Sequence, residues 1–336
     1  MINNKNILVT GGTGSFGSIF VEYLLKNYNP KKVMIFSRDE QKQFLMEKKL
    51  QKFRKKLRFF VGDVRDLQRV EFATKNVDIL IHTAAMKHVL IAEYNPFEVV
   101  KTNIIGAQNV IDACLKNNVK KVIALSTDKA SSPVNIYGAS KLTSDKLFIA
   151  ANNYAGKSKN KFSVVRYGNV LGSKGSILPL FFKGAKNNLI TITDKRMTRF
   201  NITLKESVQL VVKVINNMVG GEIFVPKIPS FRVIDFARAI SSKSKIKFIG
   251  IKPGEKLHEE LISVHESKNT IAYKNYYVIT SNSEFFYWNK EKYLKKFGGK
   301  KCSDGFSYDS GNNEEKLNIK MLKRIIEKEA KELNLK

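Results

Sequence analysis

Short, nearly continuous apolar runs alternate with longer amphipathic stretches through the first half of the chain. Runs without polar alternation predict strands covered on both faces, and such strands are joined in parallel through helices. The pattern predicts strands at Ile7 to Thr10, Val33 to Ser37, Arg58 to Val61, Val77 to His82, Val122 to Ser126 and Ser163 to Tyr167. Helical spacing recurs between them, in Ile19 to Leu25 and in Phe97 to Lys116, where Val100, Ile104, Ala107, Ile111 and Leu115 fall on one face. The expected class is α/β, a doubly wound parallel sheet. Beyond about residue 170 the alternation loosens, and Pro179, Pro226, Pro229 and Pro253 punctuate it. A smaller mixed α/β lobe is expected there, with one further strand at Glu222 to Val225. The predicted division is a sheet domain over 1–170, with a returning segment around 200–228, and a lobe over 171–336. That lobe ends in an amphipathic helix, Asn312 to Lys336, with Leu317, Met321, Leu322, Ile325 and Leu333 on its apolar face.

Composition agrees with a folded protein. Of the 336 residues 43% are hydrophobic and 26% charged, with 20 Gly and 7 Pro, which excludes a disordered tail or a low-complexity polymer. A single core stops growing near this length, so a large domain with a smaller lobe is the expected partition. The 59 Lys+Arg against 30 Asp+Glu give a formal charge of +29. Pairs such as Lys48-Lys49, Lys55-Lys56, Lys120-Lys121 and Lys300-Lys301 spread this charge along the whole chain. Nucleic-acid binding would gather it into one stripe with interleaved aromatics, so a solvated surface that also attracts an anionic small substrate is the better reading. Cys114 and Cys302 cannot build a disulfide framework, and no cysteine or histidine spacing suits a metal. The first residues lead directly into Ile7 without a leader pattern, and no window is apolar enough to span a bilayer. A cytoplasmic protein without membrane insertion is expected.

The first strand runs into Thr10-Gly11-Gly12-Thr13-Gly14-Ser15-Phe16-Gly17 and then into a helical pattern. Glycines at 11, 14 and 17 allow a tight turn, a close approach to a pyrophosphate and tight helix-on-strand packing, while the helix N-terminus presents N–H groups to the anion. This strand-to-helix context makes the segment a dinucleotide site. The second strand ends in Ser37-Arg38-Asp39. There an acidic residue would take the ribose hydroxyls, whereas an arginine favours a 2′-phosphate; Arg38, with Ser37 and Lys42, favours NADP. Gly62-Asp63-Val64, after the third strand, lies where an adenine-contacting carboxylate is expected.

Tyr137-Gly138-Ala139-Ser140-Lys141 sets a phenol and an amine four residues apart, on one helix face. A neighbouring ammonium stabilises a phenolate, so Lys141 is expected to lower the pKa of Tyr137 and let it accept a hydroxyl proton. The preceding strand ends in Ser126-Thr127-Asp128-Lys129, which delivers a hydroxyl, an acid and an amine to the carboxyl edge of the sheet, where ligands bind in this architecture.

These residues resemble the extended short-chain dehydrogenase/reductase family. Within it, lysine in the third place of Thr127-Asp128-Lys129, where many relatives carry glutamate, resembles the configuration-inverting UDP-N-acetylglucosamine 4,6-dehydratases that begin pseudaminic acid synthesis. The likeness extends through Ala84-Ala85-Met86-Lys87-His88-Val89, Ala92-Glu93-Tyr94-Asn95-Pro96, Arg166-Tyr167-Gly168-Asn169, Arg196-Met197-Thr198-Arg199-Phe200 and Pro253-Gly254-Glu255-Lys256-Leu257-His258. It implies a homo-oligomeric lyase that oxidises the sugar at carbon 4 with NADP, eliminates water across carbons 5 and 6, and returns the hydride to carbon 6. Tyr137, helped by Lys141 and Thr127, would take the 4-hydroxyl proton. Lys129, its pKa depressed by burial, would remove the carbon-5 proton, and Asp128 would protonate the departing hydroxyl. Lys129 and Tyr137 are both candidates to reprotonate carbon 5. The resemblance further implies Lys87, Lys129, Asn169, Arg199, Lys252 and Glu255 around the UDP-sugar, and Ala84, Tyr137 and Lys141 at the cofactor. His82, His88, His258 and His265 are left without a catalytic task, and Cys114 is expected in the core. A nucleotide-sugar epimerase of the same fold is the alternative, and a cofactor-sensing or nucleic-acid-binding protein is the rival from another class.

Overall fold

The structure, a computed structural model, describes residues 1–156, 160–173, 175–281 and 290–332. A ten-stranded sheet forms its centre. Strands β1 (Asn6–Thr10), β2 (Lys32–Ser37), β3 (Leu57–Val61), β4 (Ile79–His82), β5 (Lys121–Thr127) and β6 (Lys161–Tyr167) run parallel in the order 3-2-1-4-5-6, followed by the parallel strand Ile223–Pro226. All seven match the predicted strands to within a residue or two. Ile7, Leu8, Val9, Ile35, Leu80, Ile81, Val122 and Ile123 are fully buried, as residues covered by helices on both faces must be. Each such side chain contributes about 1.5–3 kcal/mol of burial.

Three antiparallel strands, Tyr276–Ile279, Thr270–Ala272 and Lys300–Lys301, extend the sheet beyond Ile223–Pro226. The chain therefore returns to the sheet well past residue 228. A second apolar core lies under the smaller lobe, where Leu178, Phe181, Ile190, Phe231, Phe236 and Leu322 pack together.

Two helical expectations change in detail. Phe97 to Lys116 is not one regular helix: a short turn, Pro96–Val99, passes into a π-helical stretch, Val100–Ile105, before the α-helix Gly106–Lys116. The wider π turn shifts the phase, so Thr102, Asn103, Ala107, Val110 and Ile111 are buried, while Val100, Ile104 and Leu115 are only half-buried. The terminal helix runs Ile319–Glu332 and buries Leu322, Ile326 and Ala330, a stripe at four-residue spacing. Met321 faces outward, at 45% exposure, and Leu333 lies outside the described residues.

Strand order reverses between β1 and β4, so the connections leaving these two strands diverge and open a crevice at their carboxyl ends. The glycine loop lies on one side of this crevice. The ends of β5 and β6 lie on the other.

Candidate active site

The glycine loop leaves β1 with Gly11 at φ +64°, and Gly14 N–H donates to the Gly11 carbonyl at 2.9 Å. A Cβ on Gly11 would lie 2.8 Å from the backbone nitrogen of Ala84, and one on Gly17 would lie 2.6 Å from the Gly11 oxygen. The loop is thus pressed against the end of β4, and the helix Ser15–Asn27 is pressed against the loop. No side chain caps that helix. Thr13, Ser15 and Phe16 lie in this loop and helix start, and Ala84 abuts Gly11, an arrangement that could hold a pyrophosphate.

At the end of β2, the Asp39 carboxylate caps the helix Glu40–Lys49 by accepting from Lys42 N–H at 2.8 Å, and it pairs with the Lys42 ammonium. Asp39 and Lys42 therefore engage each other. Arg38 is 62% exposed at its side chain and lies 3.6 Å from Asp63, which also holds Arg65 at 2.7 Å. Burial raises the Asp63 carboxyl, but Arg65 and Arg38 outweigh it and hold its pKa below the ordinary range. Ser37 accepts a hydrogen bond from buried Gln43, and Val64 is buried with its carbonyl on Asn109.

The catalytic candidates converge where β5 ends. Thr127 is the last strand residue, and its hydroxyl donates to Asp128 Oδ1 at 2.9 Å. A single 3₁₀ turn, Asp128–Ala130, carries the acid and the amine. Lys129 Nζ stands 3.1 Å from Asp128 Oδ1 and 3.0 Å from Glu259 Oε1. Asp128 and Glu259 are almost wholly buried, and in each the second carboxyl oxygen has no hydrogen-bond partner among the described residues. The helix Ile136–Tyr154 begins against this turn, capped by Asn135 on Gly138 N–H at 2.7 Å and by Glu93 on Ile136 N–H at 2.7 Å. It carries Tyr137 towards the Asp128–Ala130 turn and buries Lys141 one turn deeper.

Two electrostatic expectations are corrected. Burial opposes the Lys129 ammonium, but the Asp128 and Glu259 carboxylates outweigh it and raise its pKa above that of an ordinary lysine. The two carboxylates thus favour the ammonium form of Lys129 over the free amine. The Tyr137 phenol is pushed up to about 12 by burial, with Lys129 foremost among the groups opposing the rise. Burial lowers the pKa of Lys141 while the charge of Asp145 opposes that effect. Burial also raises the Asp128 carboxyl, with Lys129 opposing and Glu259 adding, which suits a proton donor.

The residues expected around the sugar are distributed unevenly. Asn169 follows β6, and its Oδ1 is buried without a partner, a polar atom left for a ligand. Arg199 is drawn inward: its guanidinium donates to the Thr198 and Leu257 carbonyls at 2.7 and 3.1 Å and lies 3.6 Å from Glu259. Lys252 and Glu255 share a turn that Asn135 ties to the catalytic helix through Gly254 O at 2.8 Å; Lys252 is exposed and its N–H meets the Glu255 carboxylate. Lys87 is exposed after β4. His82 bonds Thr10 and His258 bonds Thr198, both at structural positions, and Cys114 is buried. Among the described residues there is no cluster suited to a metal and no helix long and apolar enough to cross a membrane.

Sequence reading missed three groups. Glu259 immediately follows the motif ending at His258, and its adjacent partner in Glu259-Glu260 was the available signal. Asn103 bonds both the N–H and the carbonyl of Met86 and reaches Ser140. Asp145 accepts from Ser126 at 2.7 Å and pairs with buried Arg166, which also holds Glu266 at 2.9 Å; together they tie β5, the catalytic helix and the smaller lobe.

Residues 7–281 match the model of the family described as polysaccharide biosynthesis protein. The chain belongs to that family. As a member of this extended short-chain dehydrogenase/reductase group, it is similar to the UDP-N-acetylglucosamine 4,6-dehydratase (inverting) of Campylobacter jejuni subsp. jejuni serotype O:2, with 54% identity over 319 residues, 93% of this chain and 94% of that protein. A UDP-glucose 4-epimerase of Rickettsia bellii is 41% identical over 334 residues, 97% of this chain and 96% of that protein. Among solved structures, the X-ray structure of Pen from Bacillus thuringiensis superposes with a TM-score of 0.87 at 37% identity, covering 97% of this chain and 99% of that one.

Proposed function

We propose that this family member is an NADP-dependent, configuration-inverting UDP-N-acetylglucosamine 4,6-dehydratase, a hydro-lyase. Its product is UDP-2-acetamido-2,6-dideoxy-β-L-arabino-hex-4-ulose, a first intermediate towards pseudaminic acid or a related surface-glycan sugar. The observation that carries this reading is a buried carboxyl and an amine 3.1 Å apart at the sheet edge, beside Tyr137. The 54% identity to an inverting dehydratase supports it. The fold and family support a nicotinamide cofactor, and NADP in particular fits Arg38, because Asp39 is occupied by a helix cap and by Lys42. Gly11, Gly14 and Gly17 would hold the pyrophosphate, with Arg38 at the 2′-phosphate.

NADP supplies the acceptor and later the donor of one hydride. The protein's own residues handle protons. Tyr137, as the phenolate left once its own proton has passed to solvent, takes the proton of the 4-hydroxyl, with Thr127 hydrogen-bonded to it and Lys141 buried one turn deeper. The ketone so formed acidifies the hydrogen on carbon 5, and Lys129 removes that proton as Asp128 protonates the leaving 6-hydroxyl. An ammonium cannot act as a base, so Lys129 must first surrender a proton. Asp128, 3.1 Å away and with a raised pKa, is the nearest acceptor that also needs one. A single transfer between them arms base and acid together. Asn169, Lys87, Lys252, Glu255 and Arg199 are assigned to the UDP-sugar, with Arg199 acting through the wall of the site. Function in a homo-oligomer in the cytoplasm accords with this assignment.

Incubation with UDP-N-acetylglucosamine in heavy water tests the reading. Loss of one water, deuterium at carbon 5 and an L-configured ketosugar are expected. An isomer of unchanged mass would point instead to the epimerase reading that the Rickettsia relatives suggest.

A further inference from the structure

Glu259 lies outside the catalytic set assigned above, yet it touches the central amine. It reaches Lys129 from a segment 130 positions further along the chain, placing the three groups in a row: Asp128 Oδ1, 3.1 Å, Lys129 Nζ, 3.0 Å, Glu259 Oε1. Arg199 Nε approaches the same Glu259 oxygen at 3.6 Å. We propose that Glu259 is a positioning residue for the elimination, holding the Lys129 amine in line with Asp128 and steadying the proton that the two share.

This inference rests on the dehydratase reading and concerns its proton inventory. The groups facing Lys129 are Asp128 and Thr127 from the end of β5, Glu259 and Lys256 from the segment before the strand Glu260–Ile262, Arg199 from the strand Thr198–Phe200, and Tyr137 from the catalytic helix. Of these, only Asp128 and Glu259 carry negative charge near the amine. Asp128 must become protonated to act as the acid, so its hold on Lys129 ends as the reaction begins. Glu259 has no such duty. Lys129 and Arg199 favour its ionised form against its burial. When a proton passes from Lys129 Nζ to Asp128 Oδ1, the amine keeps a hydrogen bond to Glu259 and its lone pair is left on the side away from that bond. The carbon-5 C–H bond then breaks as a new N–H bond forms, and the Asp128 proton departs with the 6-hydroxyl. Without Glu259 the amine would lose its proton more readily and would be held less firmly.

The test is the pH dependence of deuterium uptake at carbon 5, measured on the full-length enzyme with UDP-N-acetylglucosamine. In wild type, uptake rises with pH through a midpoint. In Glu259→Gln, which preserves shape, that midpoint should fall by at least about one pH unit, a tenfold change in the proton affinity of the Lys129–Asp128 pair. A loss of activity at every pH with an unmoved midpoint would assign Glu259 a merely structural role and overturn the proposal. Thermal melting checks folding. Should Glu259→Gln fail to fold, Glu259→Asp keeps the charge but withdraws it by one methylene. Its midpoint should fall by a smaller step, and an unmoved midpoint there overturns the proposal equally. A wild-type protein that releases no water from the sugar removes the dehydratase reading itself, and this proposal with it. A wild-type enzyme that dehydrates beside a Glu259→Gln variant with an unmoved midpoint removes only the role of Glu259.

Discussion

Gly138 joins the two halves of the catalytic cluster, and replacing it with alanine should separate them. A Cβ at this position would lie 2.2 Å from the Lys129 carbonyl oxygen and 3.1 Å from Pro133 Cβ. The first contact is with backbone, so no side chain can swing aside. The helix carrying Tyr137 must instead withdraw from the Asp128–Ala130 turn by about 1 Å to restore an ordinary contact. Overpacking costs about 1–3 kcal/mol, while alanine recovers about 1 kcal/mol of helix propensity, so the net loss of stability is modest. A displacement of about 1 Å between Tyr137 and the acid–amine pair is more serious for the chemistry, costing about 100-fold in rate. Gly138→Ala should thus melt within a few degrees of wild type and bind cofactor normally, with a kcat for dehydration depressed about 100-fold. Cofactor affinity by calorimetry and kcat by loss of water separate these effects. A folded variant that dehydrates at nearly the wild-type rate would refute the claim that this close contact sets the catalytic geometry.

Arg38→Ala should weaken NADP binding about tenfold or more, the worth of a charge-assisted hydrogen bond to a phosphate, and leave NAD binding nearly unchanged. Calorimetric titration with both cofactors decides it, and equal weakening of the two would contradict the 2′-phosphate assignment. His82 provides a pH test of stability. Burial, with Lys141 contributing, lowers its pKa from 6.5 to about 3, so the fold holds it neutral. Its contribution is complete above the ordinary value of 6.5 and is lost as pH falls from there towards 3, at up to about 1.4 kcal/mol per pH unit. Urea unfolding at pH 7 and pH 5 should show this loss in wild type, and His82→Gln, neutral at both, should reduce it. An equal pH slope in the variant would assign the acid sensitivity to other groups.

The central sheet was legible because its determinants are local. A run such as Ile79–His82 is buried on both faces, and continuous apolarity is the direct mark of that environment. The added antiparallel strands were not legible for the converse reason. Thr270–Ala272 and Lys300–Lys301 are two or three residues long and take their conformation from pairing with distant neighbours, not from periodicity of their own. The π-helical stretch escaped similarly. Asn103 is turned inward by its bonds to Met86 and Ser140, and no 3.6-residue template places an asparagine on the buried face.

The site divides along the same line between local and distant causes. Gly11 to Gly17, Thr127 to Lys129 and Tyr137 to Lys141 each lie within one turn or one strand end, so spacing alone brings their atoms together. The charge on Lys129 has one local cause, the adjacent Asp128 carboxylate, and one distant cause, Glu259. Reading burial and one adjacent carboxylate leads to a depressed pKa, because desolvation then competes with a single counter-ion. The fold adds a second carboxylate from 130 positions away, and Asp128 and Glu259 together outweigh burial. A protonated lysine between two buried carboxylates is still compatible with elimination, provided the proton it gives up is the one Asp128 must acquire. In the proposed assignment the elimination needs no proton from bulk water: one is taken from carbon 5 and one is given to the leaving hydroxyl, both by the same amine–carboxyl pair. Solvent hydrogen must enter only at the final protonation of carbon 5, which makes deuterium at that carbon the measurement most sensitive to how this cluster manages its protons.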